Sequence, residues 1–485
     1  MKNVIVIYDD RKMPNRKIRT ITGDKSYGET ILKRVSLTER IRRMCDAVKS
    51  VCDFISLSES DDFGKINREL TNLGNGKKYS FFYIKSHFSI GDVSQFEVLL
   101  QKAAYADDIY LAMCADKVAA CFLPDEKSLF ENEEALFNDQ VSGEKIDQNA
   151  FLDLSDLSTF LSYITGGFDA RFFNSLEGDS YTVTKRSSKI EKIKSEYKFY
   201  GMLPDAMKKW FVMPYDYQET KEGASYTMER IHTTDIAIRF VHGAVSAEEL
   251  SDILEQLFYF LTSRQEKKTN VSECDKVADE AYIGKVKSRM EDLKKQDAFE
   301  DFDRMIRMGT SYQGIDEVVS LYESLYKKKR KAAYSRSSHS PAADVLVISH
   351  GDLCFSNILY SRQAGLLKLI DPKGALSEDD LYMDPYYDIA KLSHSICGGY
   401  DFFNSGLYQV SLSGNLKWEL SVDADLEPFK EVFYSYLDRF GYDREYVRVC
   451  EAGLFLSMLP FHMDQPGKVF GFLLNAIGIL EELKD

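Results

Sequence analysis

Apolar and polar positions follow two rhythms along this chain, and the change from one to the other marks its organisation. Residues 3–8 (NVIVIY) are a compact apolar run, as expected of a strand buried on both faces. A basic, turn-rich stretch follows from Asp9 to about Arg34. Over residues 36–50 (SLTERIRRMCDAVKS) the period lengthens to that of a helix. Ser36 stands at its start and Glu39 three residues later, the pattern of a capping box. Residues 53–57, 79–84 and 117–123 read as further strands, and 93–106 as a helix. Strands alternating with helices predict an α/β domain, Rossmann-like in class, over residues 1–150. The polar and acidic stretch 124–148 reads as its closing connector.

A second rhythm takes over after residue 150. Residues 180–185 (SYTVTK) alternate as a strand, 189–200 read as a helix and 226–230 as another short strand. From residue 246 helical periods dominate, at 246–264, 274–295, 315–333, 426–440 and 468–484. A small polar loop at 335–340 precedes the apolar strand 345–348. This predicts an α+β lobe over 151–245 and a mainly helical lobe over 246–485.

Composition narrows the function. Of 485 residues 44% are hydrophobic and 29% charged, which excludes a mainly disordered chain. The net charge of −15 disfavours nucleic acid as a partner. That charge is uneven: residues 1–50 carry 13 Lys and Arg against 6 Asp and Glu, whereas the remainder carries 49 against 71. The eight Cys are scattered without a CxxC pair or zinc spacing, which fits a reducing compartment. No run has the length of a membrane span, and the start of the chain lacks the pattern of a signal peptide, so a soluble, cytoplasmic protein is expected.

The chemistry concentrates in residues 345–371, VLVISHGDLCFSNILYSRQAGLLKLID. A β-branched strand runs into His350, Gly351 and Asp352, Asn357 follows five residues after Asp352, and a second apolar strand (366–370) ends in Asp371. A carboxylate in the first loop can take or orient the proton of a hydroxyl nucleophile. An amide oxygen in the same loop and a second carboxylate on the next strand can hold Mg²⁺ against nucleotide phosphates.

The segment HGDLCFSN resembles the HGDxxxxN catalytic loop of the aminoglycoside phosphotransferase and choline kinase family, relatives of the protein kinases. Leu369, Ile370 and Asp371 are similar to that family's hydrophobic-Ile-Asp metal motif. Tyr387, Asp388, Ile389 and Ala390 resemble its later D-L/I-A segment. The resemblance covers about residues 165–485. It implies a bilobal protein-kinase-like fold and an enzyme that uses ATP and Mg²⁺ to phosphorylate a hydroxyl. By it Asp352 is the catalytic base, Asn357 and Asp371 are the metal ligands and Asp388 is a structural support; His350 reads as a hydrogen-bonded structural residue rather than a general base.

Such an enzyme also needs a lysine for the α- and β-phosphates and a glutamate to hold it. Lys185 ends the strand SYTVTK, eleven residues before Glu196 on the next helix, and the pair is assigned to cofactor binding. A shifted register would make Lys189 the lysine instead. Residues 172–179 (FFNSLEGD) should cover the phosphates, although Gly178 is their single glycine. Residues 226–231 (YTMERI) read as the hinge, with Met228, Glu229 and Ile231 as candidates to line the adenine. Residues 376–387 (LSEDDLYMDPYY) would offer the acceptor an acidic, aromatic surface suited to a sugar or to a cation such as choline.

Residues 1–50 resemble the start of a nucleotide-sugar pyrophosphorylase, a nucleotidyltransferase whose first loop binds phosphates. Here that loop, residues 9–17, is basic but has no glycine. Three readings stay open: an active nucleotidyltransferase, a degenerate version with a structural or regulatory role, and a patch that recruits an anionic partner. For the whole chain the expectation is a small-molecule kinase acting on a sugar-like metabolite, with surface-polysaccharide precursors as a setting. A choline or amino-alcohol kinase and a nucleotide-binding pseudokinase scaffold are the alternatives.

Overall fold

The apolar run at the start of the chain is the middle of a sheet. A computed structural model describes residues 2–73, 78–147, 149–165, 174–178, 181–335 and 341–484. The chain divides into two units, residues 1–167 with 242–244, and residues 168–241 with 245–485.

In the first unit six strands form one mixed sheet. They are β1 (Asn3–Asp9), β2 (Val51–Leu57), β3 (Tyr79–Lys85), β4 (Tyr110–Cys114), β5 (Lys117–Leu123) and β6 (Glu144–Asp147), in the order β2-β1-β3-β5-β4-β6. β1 runs parallel to both neighbours, β5 is antiparallel to β3 and β4, and β6 is parallel to β4. Val4, Val6 and Tyr8 of β1 pack into one core with Ile41, Phe96 and Leu99. Ile5 and Ile7 pack into the other with Phe63, Ile66 and Leu129. A central strand covered on both faces has no polar side to show, hence its unbroken apolar run. The Ser36 hydroxyl accepts the Glu39 N–H at 3.2 Å and opens the helix Leu37–Asp46, as the capping pattern predicts.

Three boundaries differ from the sequence reading. The basic stretch after Asp9 contains a helix, Arg16–Thr22, which Asn15 caps by accepting from Lys17 and Ile18. Residues 124–148 are not a connector. Helices Glu126–Glu131 and Glu133–Phe137 seat Leu129 and Leu136 in the core, and β6 closes the sheet. Residues just past 150 fold with the first unit rather than the second. Phe151–Asp153 pairs with Phe88–Ile90, and the helix Leu157–Ile164 follows.

The second unit has two lobes. Four antiparallel strands, β7 (Asn174–Gly178), β8 (Thr182–Ser187), β9 (Pro214–Glu219) and β10 (Ala224–Glu229), lie in the order β7-β8-β10-β9. The helix α1 (Ile190–Met202) covers them, with Ile193 packed on Ala224 and Tyr226. The helical lobe comprises, among others, α2 (Ala247–Thr262), α3 (Lys285–Lys294), α4 (Ile315–Ala333), α5 (Tyr387–Ile396), α6 (Tyr400–Asn404), α7 (Arg444–Met458) and α8 (Pro466–Glu482). α7 is its axis, buried without interruption from Tyr446 to Ser457 and packed against α3, α4, α5 and α8. A π-helical turn, Glu280–Gly284, interrupts the expected 274–295 helix just before α3. On the lobe's edge are the short strands β11 (Val345–Ile348), β12 (Ile358–Ser361) and β13 (Leu366–Leu369), the last two a hairpin. One small sheet-and-helix lobe and one helical lobe are the two-lobed α+β architecture expected for this part of the chain. Among the described residues no helix is long and apolar enough to cross a membrane.

Candidate functional site

The loop after β11 is held by one buried carboxylate. Asp388, in the first turn of α5, accepts the backbone N–H groups of His350 at 2.9 Å and Gly351 at 2.8 Å. The Arg264 guanidinium donates to the same carboxylate at 3.1 Å and also to the carbonyls of Leu261 and Pro385. The side chains of Arg264 and Asp388 are 1% and 0% exposed. Gly351 has φ +78°, and a Cβ there would lie 2.6 Å from Lys373 Cβ, so the turn needs glycine. His350 accepts the Asp352 N–H on Nδ1 at 3.2 Å, which leaves Nε2 to donate to the Ile370 carbonyl at 2.9 Å. Burial lowers the His350 pKa, so the ring is neutral, a brace between the two strands' ends.

This brace delivers Asp352 and Asp371 to one place. The Asn357 amide nitrogen donates to the Asp352 backbone carbonyl at 2.8 Å and to its Oδ2 at 3.2 Å. The other carboxylate oxygen, Oδ1, meets the Lys391 ammonium at 2.8 Å. Burial pushes the Asp352 carboxyl up, but Lys391 outweighs it and holds the group at about 2. Asp371 follows β13 with φ +55°, a left-handed conformation unusual for a side chain with a Cβ.

Asp371 is joined to the small lobe by an ion-pair triad. Lys185 Nζ lies 2.7 Å from Glu196 Oε2 and 2.9 Å from Asp371 Oδ1. Lys185 is the residue of β8 that pairs across to Tyr226 on β10, and the Tyr226 hydroxyl also donates to Glu196, at 3.1 Å. Lys185 is 3% exposed; burial disfavours its charge, yet Asp371 and Glu196 raise its pKa. Of the two lysines left open by the sequence, Lys185 reaches both carboxylates, whereas Lys189 is exposed at the head of α1. Gly374, at φ +86°, lets the chain after Asp371 pass against α1, where Ala375 N–H donates to the Ser195 carbonyl at 3.0 Å.

The hinge candidates are spread along the end of β10. Met228 lines a void of about 20 Å³ with Glu196, Tyr226, Leu369 and Asp371, room for about one water. Glu229 is exposed and Ile231 half-buried on the segment leading to the helical lobe, where the Thr233 hydroxyl donates to the Tyr360 carbonyl. Of the phosphate-covering stretch 172–179, residues 174–178 form edge strand β7, and 172, 173 and 179 lie outside the described residues.

The acidic residues of 376–387 are engaged both within their loop and by distant cations, Asp384 by Arg330 at 2.8 Å. Asp380 accepts the N–H groups of Leu376 and Ser377 and the Ser377 hydroxyl, and Asp379 pairs with Lys267 at 2.6 Å. In the first unit Arg11 of the basic loop turns onto a carboxylate of the same loop, whereas Lys12, Arg16 and Lys17 are exposed. Arg11 forks onto Asp9 with two 2.8 Å bonds, Lys12 and Lys85 both pair with Asp139, and Asp10 accepts from Ser26 and Gly28. Beside it a cavity of about 410 Å³ is lined by Lys12, His87, Lys117 and Lys145.

Sequence reasoning missed two residues that the site uses, Arg264 and Lys391. Lys391 carried a signal: it lies three residues after Asp388, on the same face of α5. Mg²⁺ fits the donors present. Asp371 offers a carboxylate, and because the Asn357 amide nitrogen is committed to Asp352, its oxygen is the atom left for a metal. Hard oxygen donors in this number, completed by phosphates, suit Mg²⁺. Among the described residues no cluster of three or more His, Cys, Asp or Glu could hold a metal unaided.

No protein-family model and no curated protein matches the chain. Among solved structures it is similar to a thermostable mutant of aminoglycoside phosphotransferase APH(4)-Ia in ternary complex with AMP-PNP and hygromycin B. The identity is 9% over 65% of this chain and 92% of that one, with a TM-score of 0.41. Aminoglycoside phosphotransferase APH(3'')-Id from Streptomyces rimosus is 15% identical over 63% and 98%, with a TM-score of 0.34. An aminoglycoside-3'-phosphotransferase of type VIII is 12% identical over 62% and 99%, with a TM-score of 0.33. Likenesses at these values carry no conclusion about activity, which must come from the site itself.

Proposed function

We propose that the second unit is an ATP- and Mg²⁺-dependent phosphotransferase that moves the γ-phosphoryl group of ATP to a hydroxyl of a sugar-like small molecule. The observation that carries this is a pair of groups, Lys185 ion-paired to Glu196 and Asp371, and Asn357 hydrogen-bonded to Asp352, tied together through the His350 ring and the Ile370 N–H on the Asn357 carbonyl. Phosphoryl transfer asks little covalent chemistry of a protein and much positioning of charge. Lys185, kept charged by its two carboxylates, is placed to contact phosphate oxygens. Asn357 and Asp371 would hold Mg²⁺, which neutralises charge on the phosphates when bound. Asp352, at about 2, is ionised across the physiological range. A base so weak does not strip a hydroxyl in advance. It accepts the hydrogen bond of the acceptor hydroxyl, aims the oxygen, and takes the proton only as the new P–O bond forms.

The eight cysteines are all free, which agrees with a cytoplasmic setting where Mg-ATP is supplied. An α/β unit on the same chain fits a role in making an activated building block, such as a surface-polysaccharide precursor. A pseudokinase scaffold would not need the whole ionised set. The test is incubation of the full chain with Mg-ATP and a panel of sugars, polyols and amino alcohols, with ADP and phosphate esters followed by mass spectrometry. A Mg²⁺-dependent ester is expected. Nucleotide binding with no ester from any acceptor would point to the scaffold instead.

A further inference from the structure

Beside the oxygen of Asp352 that Lys391 holds, the wall is built of cationic and neutral groups. Lys391 lies one helical turn beyond Tyr387 on α5. The Tyr387 hydroxyl accepts from Lys285 Nζ at 3.0 Å, and the Lys285 ammonium stands 5.7 Å from the centre of the Tyr387 ring. Lys285 is the first residue of α3, set by the π-helical turn before it. One turn further along α5 comes His394, fully buried and stacked on Tyr400 with centroids 4.2 Å apart. Neither of its ring nitrogens has a hydrogen-bond partner among the described residues. Behind it Lys468 of α8 donates to Asn404 and stands 5.2 Å from the Phe472 ring.

The charges around this wall do not balance. Lys285, Lys391 and Lys468 all act on His394, and Lys285 and Lys391 both act on Asp352. The acidic groups are Asp352 itself, already paired with Lys391, and Asp401, whose carboxyl burial raises to about 7. Among the described residues Lys285 has no carboxylate partner; its polar contact is a phenol. A half-buried ammonium beside the reacting carboxylate is costly unless something anionic meets it. A quaternary ammonium or a polyamine would meet two like charges instead, and the Tyr387 ring already carries Lys285.

We infer that the acceptor is anionic: the molecule whose hydroxyl Asp352 orients also carries a carboxylate or phosphate group, which Lys285 and Lys391 bind beside the Tyr387 hydroxyl. This rests on the phosphotransferase reading only for the word acceptor; the anion site itself stands on the lysines. It excludes choline and other cationic acceptors, and reduces the sugar-like class to sugar acids and phosphorylated sugars or polyols.

The experiment uses the full chain loaded with Mg²⁺ and AMP-PNP. Calorimetric titrations compare D-glucuronate and glycerol 3-phosphate with glucose, glycerol and choline, and ADP release from Mg-ATP is measured with the same five. At least one anion is expected to bind ten-fold or more tightly than the neutral and cationic probes, and which one identifies carboxylate or phosphate. Lys285→Met should weaken that binding ten-fold or more and Lys285→Arg should restore most of it, with melting curves confirming that both variants fold. Glucose, glycerol or choline binding as tightly as the anions overturns the inference, as does anion affinity within two-fold in Lys285→Met. The two readings fail separately. Anion binding without ADP release from any acceptor removes the kinase and keeps the site; ADP release with choline or glucose alone keeps the kinase and removes the site.

Discussion

Replacing Asp388 by Asn tests the clamp that shapes the loop carrying Asp352. The carboxylate accepts three donors, His350 N–H and Arg264 on Oδ2 and Gly351 N–H on Oδ1. An Asn in the same position keeps one accepting oxygen. Turned to serve His350 and Arg264, its NH₂ faces the Gly351 N–H, two donors against each other at a fully buried position. An orphaned buried N–H costs about 1–3 kcal/mol. Arg264, 1% exposed, also loses its counter-charge, though it retains the Leu261 and Pro385 carbonyls. Breaking a buried ion pair costs about 3–5 kcal/mol, and these retained bonds place Asp388→Asn near the lower end, at about 3 kcal/mol. Against a total stability of about 5–15 kcal/mol the variant should still fold. Urea unfolding monitored by tryptophan fluorescence would show the lowered midpoint, and ADP release would show a loss of kcat larger than the loss of folded protein, because Asp352 is no longer aimed. A variant within about 0.5 kcal/mol of the parent with unchanged kcat would refute the clamp, since that is the range of changes at ordinary surface positions.

Glu196→Gln leaves Lys185 with Asp371 alone; kcat/KM for ATP should fall about 10–100-fold, or ~1.4–3 kcal/mol of transition-state stabilisation, measured by steady-state ADP release. Gly374→Ala forces a Cβ to 2.5 Å from Ser195 Oγ and 2.7 Å from the Glu196 backbone nitrogen at φ +86°, so it should cost at least about 1–3 kcal/mol in denaturant unfolding and weaken nucleotide binding with it. The Asp401 carboxyl is 2% exposed and raised by burial to about 7, so between about pH 4 and 7 the folded chain holds a proton that the unfolded chain has released. Stability therefore falls as pH rises through that window, by up to about 4 kcal/mol, and Asp401→Asn should raise the melting temperature more at pH 8 than at pH 5; an equal shift at both would contradict the assignment.

The sequence made the site legible where spacing along the chain stands in for distance in space. Asp352 and Asn357 share one loop, Asp371 ends the partner strand of a hairpin, and Lys185 and Glu196 lie on adjacent elements, so each pair meets through short-range geometry. Arg264 could not be read, because it reaches Asp388 across 124 residues and looks like any arginine at a helix end. Lys391 looks like the solvated face of a helix until the fold sets it against Asp352. The same limit acted in the first unit. β1 announced itself because a central parallel strand must be apolar on both faces. The helices after residue 125 hid theirs, since Leu129 and Leu136 are the buried anchors in a run of acids and amides. The strand Phe151–Asp153 is three residues long and means nothing until it finds Phe88–Ile90, which is why the first unit extends past residue 150.

The central claim is that Asp352 orients the hydroxyl that receives the phosphoryl group, and Asp352→Asn measures it most directly. The amide keeps the shape but not the accepting charge; its oxygen can still accept from Lys391, and Asn357 keeps its bond to the backbone carbonyl of residue 352. With the best acceptor from the panel and saturating Mg-ATP, ester formation should fall by about 10²–10⁴-fold, the range for loss of a positioned base, while AMP-PNP affinity stays within a few-fold of the parent. Full turnover in Asp352→Asn, with the phosphoryl group delivered at the parent rate, would contradict the account.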